Sequence, residues 1–255
     1  MTRFTSSVNS LRSSEIRDLM SLANKPDMIL FSGGMPDNNL FPLHQIDEIY
    51  NNLTEKEKQI AMQYGPTSGI PELLTSLKAF LKKKGLPVDE NKLMITTGSL
   101  QAINILAKAF IDPGDTIVVE NPCFIGAISA FKSYQANIVS VPLTAHGIDL
   151  EQLKETLANA EQKPKFVYLT PNFHNPAGTL YTLETKRALI EILSNQDIPL
   201  IEDDAYSDLW YYEEDKEHLT TIKAMNPTGI DVCYTGSFSK ILGPGLRLGW
   251  MLVPE

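Results

Sequence analysis

The stretch that decides the fold is Leu93-Met94-Ile95-Thr96-Thr97-Gly98-Ser99-Leu100-Gln101-Ala102-Ile103-Asn104-Ile105-Leu106-Ala107-Lys108-Ala109-Phe110, followed after a short break by Thr116-Ile117-Val118-Val119. The run from Leu93 to Thr96 is apolar and has the length of a strand. Gly98-Ser99 interrupts it, and Ala102, Ile103, Leu106 and Phe110 then recur at the spacing of one helical face. Thr116 to Val119 is a second apolar run without polar alternation, the pattern of a strand buried on both sides. Working outward, the same unit repeats. Ile138-Val139-Ser140-Val141, Phe166-Val167-Tyr168-Leu169, Pro199-Leu200-Ile201-Glu202 and Val232-Cys233-Tyr234-Thr235 read as strands, and helical patterns lie around 126–131, 150–157 and 183–193. Upstream, Pro71 opens a helix whose apolar face runs Ile70, Leu73, Leu74, Leu77 and Phe80/Leu81. Lys82-Lys83-Lys84-Gly85 closes it, with cations at the carbonyl end and glycine just beyond. Short apolar strands alternating with helices predict an α/β fold, a mostly parallel central sheet with helices on both faces. In such sheets ligands sit beyond the carboxyl ends of the strands, so the chemistry is sought in the residues that follow each one.

A chain of 255 residues can bury a sizeable core, as one large domain or two small ones. Its 43% hydrophobic and 21% charged residues are globular proportions and exclude a disordered or low-complexity chain. Lys and Arg number 22 against 31 Asp and Glu, a net charge of −9 with no basic tract, which argues against nucleic acid as a partner. The lysines at 82–84 fit a helix end better than a nucleic-acid patch. Cys123 and Cys233 are far apart in apolar surroundings and read as buried reduced thiols rather than a disulfide. The first ten residues lack the apolar core of a signal peptide. The longest stretch free of Asp, Glu, Lys and Arg, 166–183, holds two prolines with Asn, His and Thr and cannot span a bilayer. The expectation is a soluble, cytoplasmic protein with no membrane partner.

Four polar clusters follow strands. Thr96-Thr97-Gly98-Ser99-Leu100-Gln101 joins a strand to a helix, where free N–H groups and the helix dipole suit an anion such as a phosphate; an ordinary N-cap has the same composition. The Gly-rich loops of nucleotide kinases and of dinucleotide-binding dehydrogenases are absent. Thr170-Pro171-Asn172-Phe173-His174-Asn175-Pro176-Ala177-Gly178 is an irregular loop whose side-chain amides are expected to be free for a ligand, or else a bare turn. His174 could suggest a metal, but His44, His146 and His218 are scattered, and no metal site is expected. Glu202-Asp203-Asp204-Ala205-Tyr206 puts three consecutive carboxylates at a strand end. They repel one another, so at least one needs a cationic partner or a raised pKa, unless the segment is a solvated acidic turn. Finally, Thr235-Gly236-Ser237-Phe238-Ser239-Lys240-Ile241-Leu242-Gly243-Pro244-Gly245-Leu246-Arg247-Leu248-Gly249-Trp250 sets one lysine among small residues after a strand. Loss of solvation there makes the amine a usable nucleophile, and the arginine seven positions on can clamp a phosphate.

Together the clusters resemble the class I/II aminotransferases, the fold-type-I pyridoxal-phosphate enzymes, and within them the branch containing 2-aminoadipate and kynurenine aminotransferases. Ser-x-x-Lys with Gly-x-Arg-x-Gly, Asp-x-Ala-Tyr and Asn-Pro-x-Gly occur in the family's order, and the resemblance runs from about Phe31 onward. It implies that Lys240 forms the internal aldimine with pyridoxal 5'-phosphate and that Asp203 pairs with the protonated ring nitrogen. Tyr206 and Asn175 would bond the phenolic oxygen. Ser99, the Leu100 N–H, Ser237 and Arg247 would hold the phosphate, and Phe124 would stack on the ring unless it is simply a core aromatic. Tyr64 would reach the phosphate of a neighbouring subunit in a homodimer. Gly34 would lie near the substrate carboxylate, with Asn175 also on the substrate side. The implied reaction is ping-pong transamination between an amino acid and a 2-oxo acid. The cofactor serves as electron sink, with Lys240 as proton shuttle and Asp203 and Tyr206 as its catalytic partners.

The expected organisation is an N-terminal segment over 1–30 and a cofactor-binding large domain over 31–255. The family pattern continues past residue 255 into a smaller C-terminal domain that supplies the arginine for the substrate carboxylate. Two alternatives stay open. One is a β-lyase or decarboxylase of the same fold. The other is a non-catalytic cofactor-binding regulatory module, for which the roughly thirty residues before Phe31 are too few to hold a DNA-binding domain.

Overall fold

The computed structural model describes residues 34–225 and 229–255, together with 5, 7 and 8. Most of the expected segment 1–30, and positions 31–33 of the expected large domain, lie outside the described residues. In chain order the elements are α1 (Leu43–Asn52), α2 (Glu55–Met62), α3 (Pro71–Lys83), β1 (Lys92–Thr96), α4 (Ser99–Phe110), β2 (Thr116–Asn121), α5 (Ile125–Ser133), β3 (Asn137–Thr144), β4 (Gly147–Ile148), α6 (Leu150–Ala158), β5 (Val167–Leu169), α7 (Leu183–Gln196), β6 (Leu200–Asp204), α8 (Ile222–Met225), β7 (Val232–Ser237) and β8 (Gly249–Val253).

One sheet of eight strands runs in the order β1-β8-β7-β6-β5-β2-β3-β4. Pairing is parallel from β3 through β2, β5 and β6 to β7, while β8 lies antiparallel between β7 and β1, and β4 antiparallel to β3. Because β8 reverses twice over, β1 runs in the same direction as β7. The carboxyl ends of β1, β2, β5, β6 and β7 therefore open on one edge, where the mostly parallel sheet was expected to carry its chemistry.

Both faces are covered. On one, α4 and α5 pack Ala102, Ile103, Leu106, Ala127 and Phe131 over Tyr168, Ile201 and Cys233. On the other, α6 and α7 pack Leu153, Leu157, Leu189 and Leu193 over Val167, Leu169 and Leu200. Each fully buried Leu or Phe of this kind contributes roughly 1.5–3 kcal/mol of transfer free energy. The third cluster, around Trp250, lies where α3 brings Leu77 and Leu81 against β7 and β8.

Local signals explain the element ends. Pro71 stands at the start of α3. At its other end Gly85 (φ 80°) takes the left-handed conformation, and the amides of Gly85 and Leu86 bond to the carbonyls of Lys82 and Leu81, a Schellman closure. Asp149 caps α6 through the amides of Glu151 and Gln152, and Thr182 caps α7 through Thr185 N. Cys233 is buried and Cys123 only partly so, and both are free thiols. No helix among the described residues is long and apolar enough to cross a membrane.

Candidate active site

The register brings the expected clusters together. Gly249 is the partner of Thr96 on β1 and of Ser237 on β7, so the loop before α4 and the segment before Lys240 flank the same residue. A Cβ on Gly249 would lie 2.5 Å from the Gly98 carbonyl carbon and 2.7 Å from Ser99 N, so only glycine lets β8 approach the start of α4 this closely. Gly98 itself sits at φ 74° as the N-cap, with no side chain closing the helix, and among the described residues the amides of Ser99 and Leu100 have no partner. Arg247, also left-handed at φ 50°, lays its guanidinium across this terminus and donates to Thr97 O at 3.2 Å and Pro244 O at 3.3 Å. Free amides, the helix dipole and a guanidinium make a cradle for an anion. Ser237 stands beside it, donating to Ser239 Oγ at 2.7 Å.

Phe124 precedes α5, and its ring lies so close over Gly126 that a Cβ there would meet it at 2.6 Å. Leu100 Cδ1 is 3.3 Å from the same point, so Phe124 borders the α4 terminus while also packing on the core.

The Glu202-Asp203-Asp204 run is strand rather than turn, and all three side chains are buried. A solvated acidic turn is excluded. Strand alternation sends Asp203 one way and its neighbours the other. Glu202 accepts from the amides of Ile222 and Lys223 at 2.7 and 2.9 Å; burial pushes its pKa to about 7. Asp204 accepts from Ser207 at 2.7 Å and Tyr234 at 2.8 Å, and Lys84 Nζ approaches to 3.6 Å as the expected cationic partner. Asp203 accepts from Tyr168 Oη at 2.8 Å and Thr235 Oγ1 at 2.9 Å, with no cation beside it among the described residues. Burial raises its pKa to about 6, against the effect of those two hydrogen bonds. Tyr168 reads in the sequence as ordinary strand interior, and Thr235 only as the first residue of the lysine cluster, with no role of its own.

Lys240 Nζ lies 5.5 Å from the centre of the Tyr206 ring. The amine has no ion pair among the described residues, and partial burial lowers its pKa. The Tyr206 hydroxyl accepts from Asn175 Nδ2 at 3.3 Å. Its pKa is raised, first by burial and then by the Asp203 charge, with the Asn175 bond opposing.

Two expectations need correction or remain apart. The amide of Asn172 is not free for a ligand: it is fully buried, accepts from Lys186 Nζ at 2.7 Å and donates to Leu219 O at 3.2 Å. The buried amine takes both that oxygen and two carbonyls, so the asparagine is spent on the core. His174 is likewise inward, its Nε2 3.2 Å from Glu120 Oε2. Among the described residues no cluster of three or more His, Cys, Asp or Glu is placed to hold a metal ion. Tyr64 is wholly exposed, and Gly34 (φ 53°) has nothing within 4 Å of where its Cβ would stand. Neither joins the other candidates within this single chain.

The arrangement thus offers an anion cradle, a buried carboxylate lacking a cation, a phenol–amide pair and a nucleophilic amine at one sheet edge. Residues 26–255 match the family Aminotransferase class I and II, and the chain belongs to that family. It is 37% identical over 252 residues to aromatic-amino-acid aminotransferase 1 of Thermococcus litoralis, covering 97% of this chain and 60% of that protein. It is 35% identical to the 2-aminoadipate transaminase of Thermus thermophilus, covering 96% and 60%. The crystal structure of the kynurenine aminotransferase of Pyrococcus horikoshii superposes with a TM-score of 0.91 at 37% identity, covering 98% of this chain and 62% of that one. The chain therefore has the fold-type-I architecture and spans about 60% of the length of the curated relatives it matches.

Proposed function

We propose that this chain is the cofactor-binding large domain, over 31–255, of a pyridoxal-phosphate-dependent aminotransferase, preceded by an N-terminal segment over 1–30. It would move an amino group from an L-amino acid to a 2-oxo acid in a ping-pong cycle. The observation that carries this reading is the unpaired, half-buried Lys240 amine over Tyr206, on the same sheet edge as the cation-free Asp203 carboxylate.

The residues fit the group. The amides of Ser99 and Leu100, the hydroxyls of Ser99 and Ser237, and Arg247 match a phosphate in number and charge. Asp203 suits a protonated ring nitrogen, Asn175 and Tyr206 a phenolic oxygen, Phe124 a ring face, and Lys240 an aldehyde carbon. When bound, the cofactor supplies an electron sink for the carbanion left by removal of a substrate α-proton. The chain's own residues do the rest. Asp203 would hold a proton on the ring nitrogen. Lys240, whose pKa partial burial lowers, would be the residue placed to move the substrate α-proton at its Nζ. Tyr206 and Asn175 orient the ring from the phenolic side.

The proposal extends to a homodimer in the cytoplasm, in which Tyr64 reaches the partner's phosphate and the Gly34 backbone lies near the substrate carboxylate. The complete exposure of Tyr64 supports this, since its ring is unused within one chain.

The test is a half-reaction. The cofactor-loaded intact protein is mixed with single amino acids and no 2-oxo acid, beginning with aromatic amino acids and 2-aminoadipate because relatives are named for them. One equivalent of 2-oxo acid should form, the visible band of the bound aldehyde should bleach, and added 2-oxoglutarate should restore it. Continuous release of ammonia or carbon dioxide instead would make the protein a lyase or decarboxylase. No spectral change with any amino acid would favour a non-catalytic binder.

A further inference from the structure

Asp203 is gripped at both oxygens by neutral hydroxyls from the two neighbouring strands, Tyr168 at Oδ2 and Thr235 at Oδ1. The register builds this grip. Thr235 is the direct partner of Asp203 across β6 and β7, and Tyr168 pairs with Ile201, two residues earlier on the same face. Tyr168 and Thr235 are 0% exposed, and the tyrosine ring is fixed edge-on against Phe131 at 5.3 Å. Among the described residues the other titratable groups whose charges reach Asp203 bring no positive charge: Asp204, on the opposite face, and Glu120 as acids, Tyr206 and Cys123 as neighbours.

A carboxyl group in such a place can share one proton with a ring nitrogen in two ways, as acid with neutral ring or as carboxylate with ring cation. No proton is gained or lost between them. A dry site favours the uncharged pair, and donors that bond the charged carboxylate favour the ionic one. We propose that Tyr168, with Thr235 as its second, is a positioning residue that keeps Asp203 a carboxylate aimed at the ring nitrogen, so that the shared proton stays on the ring. This rests on the aminotransferase reading and adds residues to the electron-sink end of the site.

The experiment loads the intact protein with pyridoxal phosphate labelled with nitrogen-15 in the ring and reads the ring-nitrogen chemical shift, which separates pyridine from pyridinium. The wild-type signal should lie at the pyridinium position. Tyr168→Phe, which removes one oxygen and keeps the ring, should move it toward pyridine, with kcat falling roughly tenfold and KM little changed. Thr235→Val should move it the same way through the other oxygen, which keeps the idea testable if Tyr168→Phe folds poorly. Tyr181→Phe removes an equally buried hydroxyl from a different carboxylate, Glu120, and should leave the signal in place. A pyridinium signal in both folded Tyr168→Phe and Thr235→Val would overturn the proposal, as would an equal displacement in Tyr181→Phe. Failure of the underlying reading shows differently: the wild-type protein itself would not bind the cofactor, or would hold it with an unprotonated ring, and the inference would fall with it.

Discussion

Asp203 and Asp204 are consecutive on β6 yet serve opposite faces of the sheet. Among the described residues Asp203 meets only neutral hydroxyls on the face covered by α4 and α5, while Asp204 meets Tyr234, Ser207 and the Lys84 amine on the other. One carboxylate is left without a cation, and its neighbour is fully provided for. This asymmetry underlies the roles assigned to them.

Asp203→Asn should therefore slow α-proton abstraction in single-turnover measurements by at least ~10²–10⁴, the usual scale of a tuned proton-transfer group. Asp204→Asn should leave that step within a few-fold and instead cost about 1–3 kcal/mol of stability, because a buried, hydrogen-bonded partner of Lys84 is lost. If Asp204→Asn proves the slow enzyme, the facing of the two residues toward the cofactor is wrong, and the role of Tyr206 goes with it.

Gly98→Ala places a methyl carbon 2.6 Å from Arg247 Nη2 and forces a side chain into φ 74° with ψ 165°, a backbone region kept almost entirely to glycine and costing ~1–3 kcal/mol. Displacing the guanidinium opens the anion cradle. Calorimetric titration should show affinity for pyridoxal phosphate reduced on the order of tenfold, the equivalent of one charge-assisted hydrogen bond, with dephosphorylated pyridoxal unaffected. Equal losses for the two ligands would place the phosphate elsewhere.

The pH dependence of stability isolates Asp203. Its folded pKa of about 6 lies above the ordinary 3.8, so the folded state keeps a proton that the unfolded chain has already released. The contribution of Asp203 to the stability of the cofactor-free protein should thus fall as pH rises from about 4 to about 6 and then level off. Relative to Asp203→Asn, the wild type should lose on the order of 3 kcal/mol across that window. Glu202, raised to about 7 by burial, titrates in both proteins and cancels in the comparison. Urea midpoints at matched pH decide it, and parallel curves would show that Asp203 is ordinary in the folded state.

Much of this was legible in the sequence, and the rest was hidden for identifiable reasons. The strand–helix repeat around Gly98-Ser99, the closure of α3 at Gly85 and the clusters that hold Asn175, Tyr206 and Lys240 depend on local spacing, which sequence displays directly. The direction of β8 was not displayed, since a strand buried on both faces reads the same whichever way it runs. The helices α1 and α2 escaped notice because neither buries a residue, and α1 leaves Leu43, Ile46 and Tyr50 exposed. Tyr168 and Thr235 became partners of Asp203 only through register across three strands. Lys84 reaches Asp204 from 120 positions away, and Lys186 enters the core beside Asn172, so neither pairing follows from nearby residues.

The central claim is that Lys240 carries the cofactor. The intact protein, loaded with pyridoxal phosphate, is reduced with borohydride, digested and mapped by mass spectrometry. The reduced cofactor mass is expected on Lys240 at near-stoichiometric yield, and should be lost in Lys240→Ala even where the anion cradle retains some cofactor affinity. A stoichiometric label on any other lysine, or none in the wild-type protein, would contradict it.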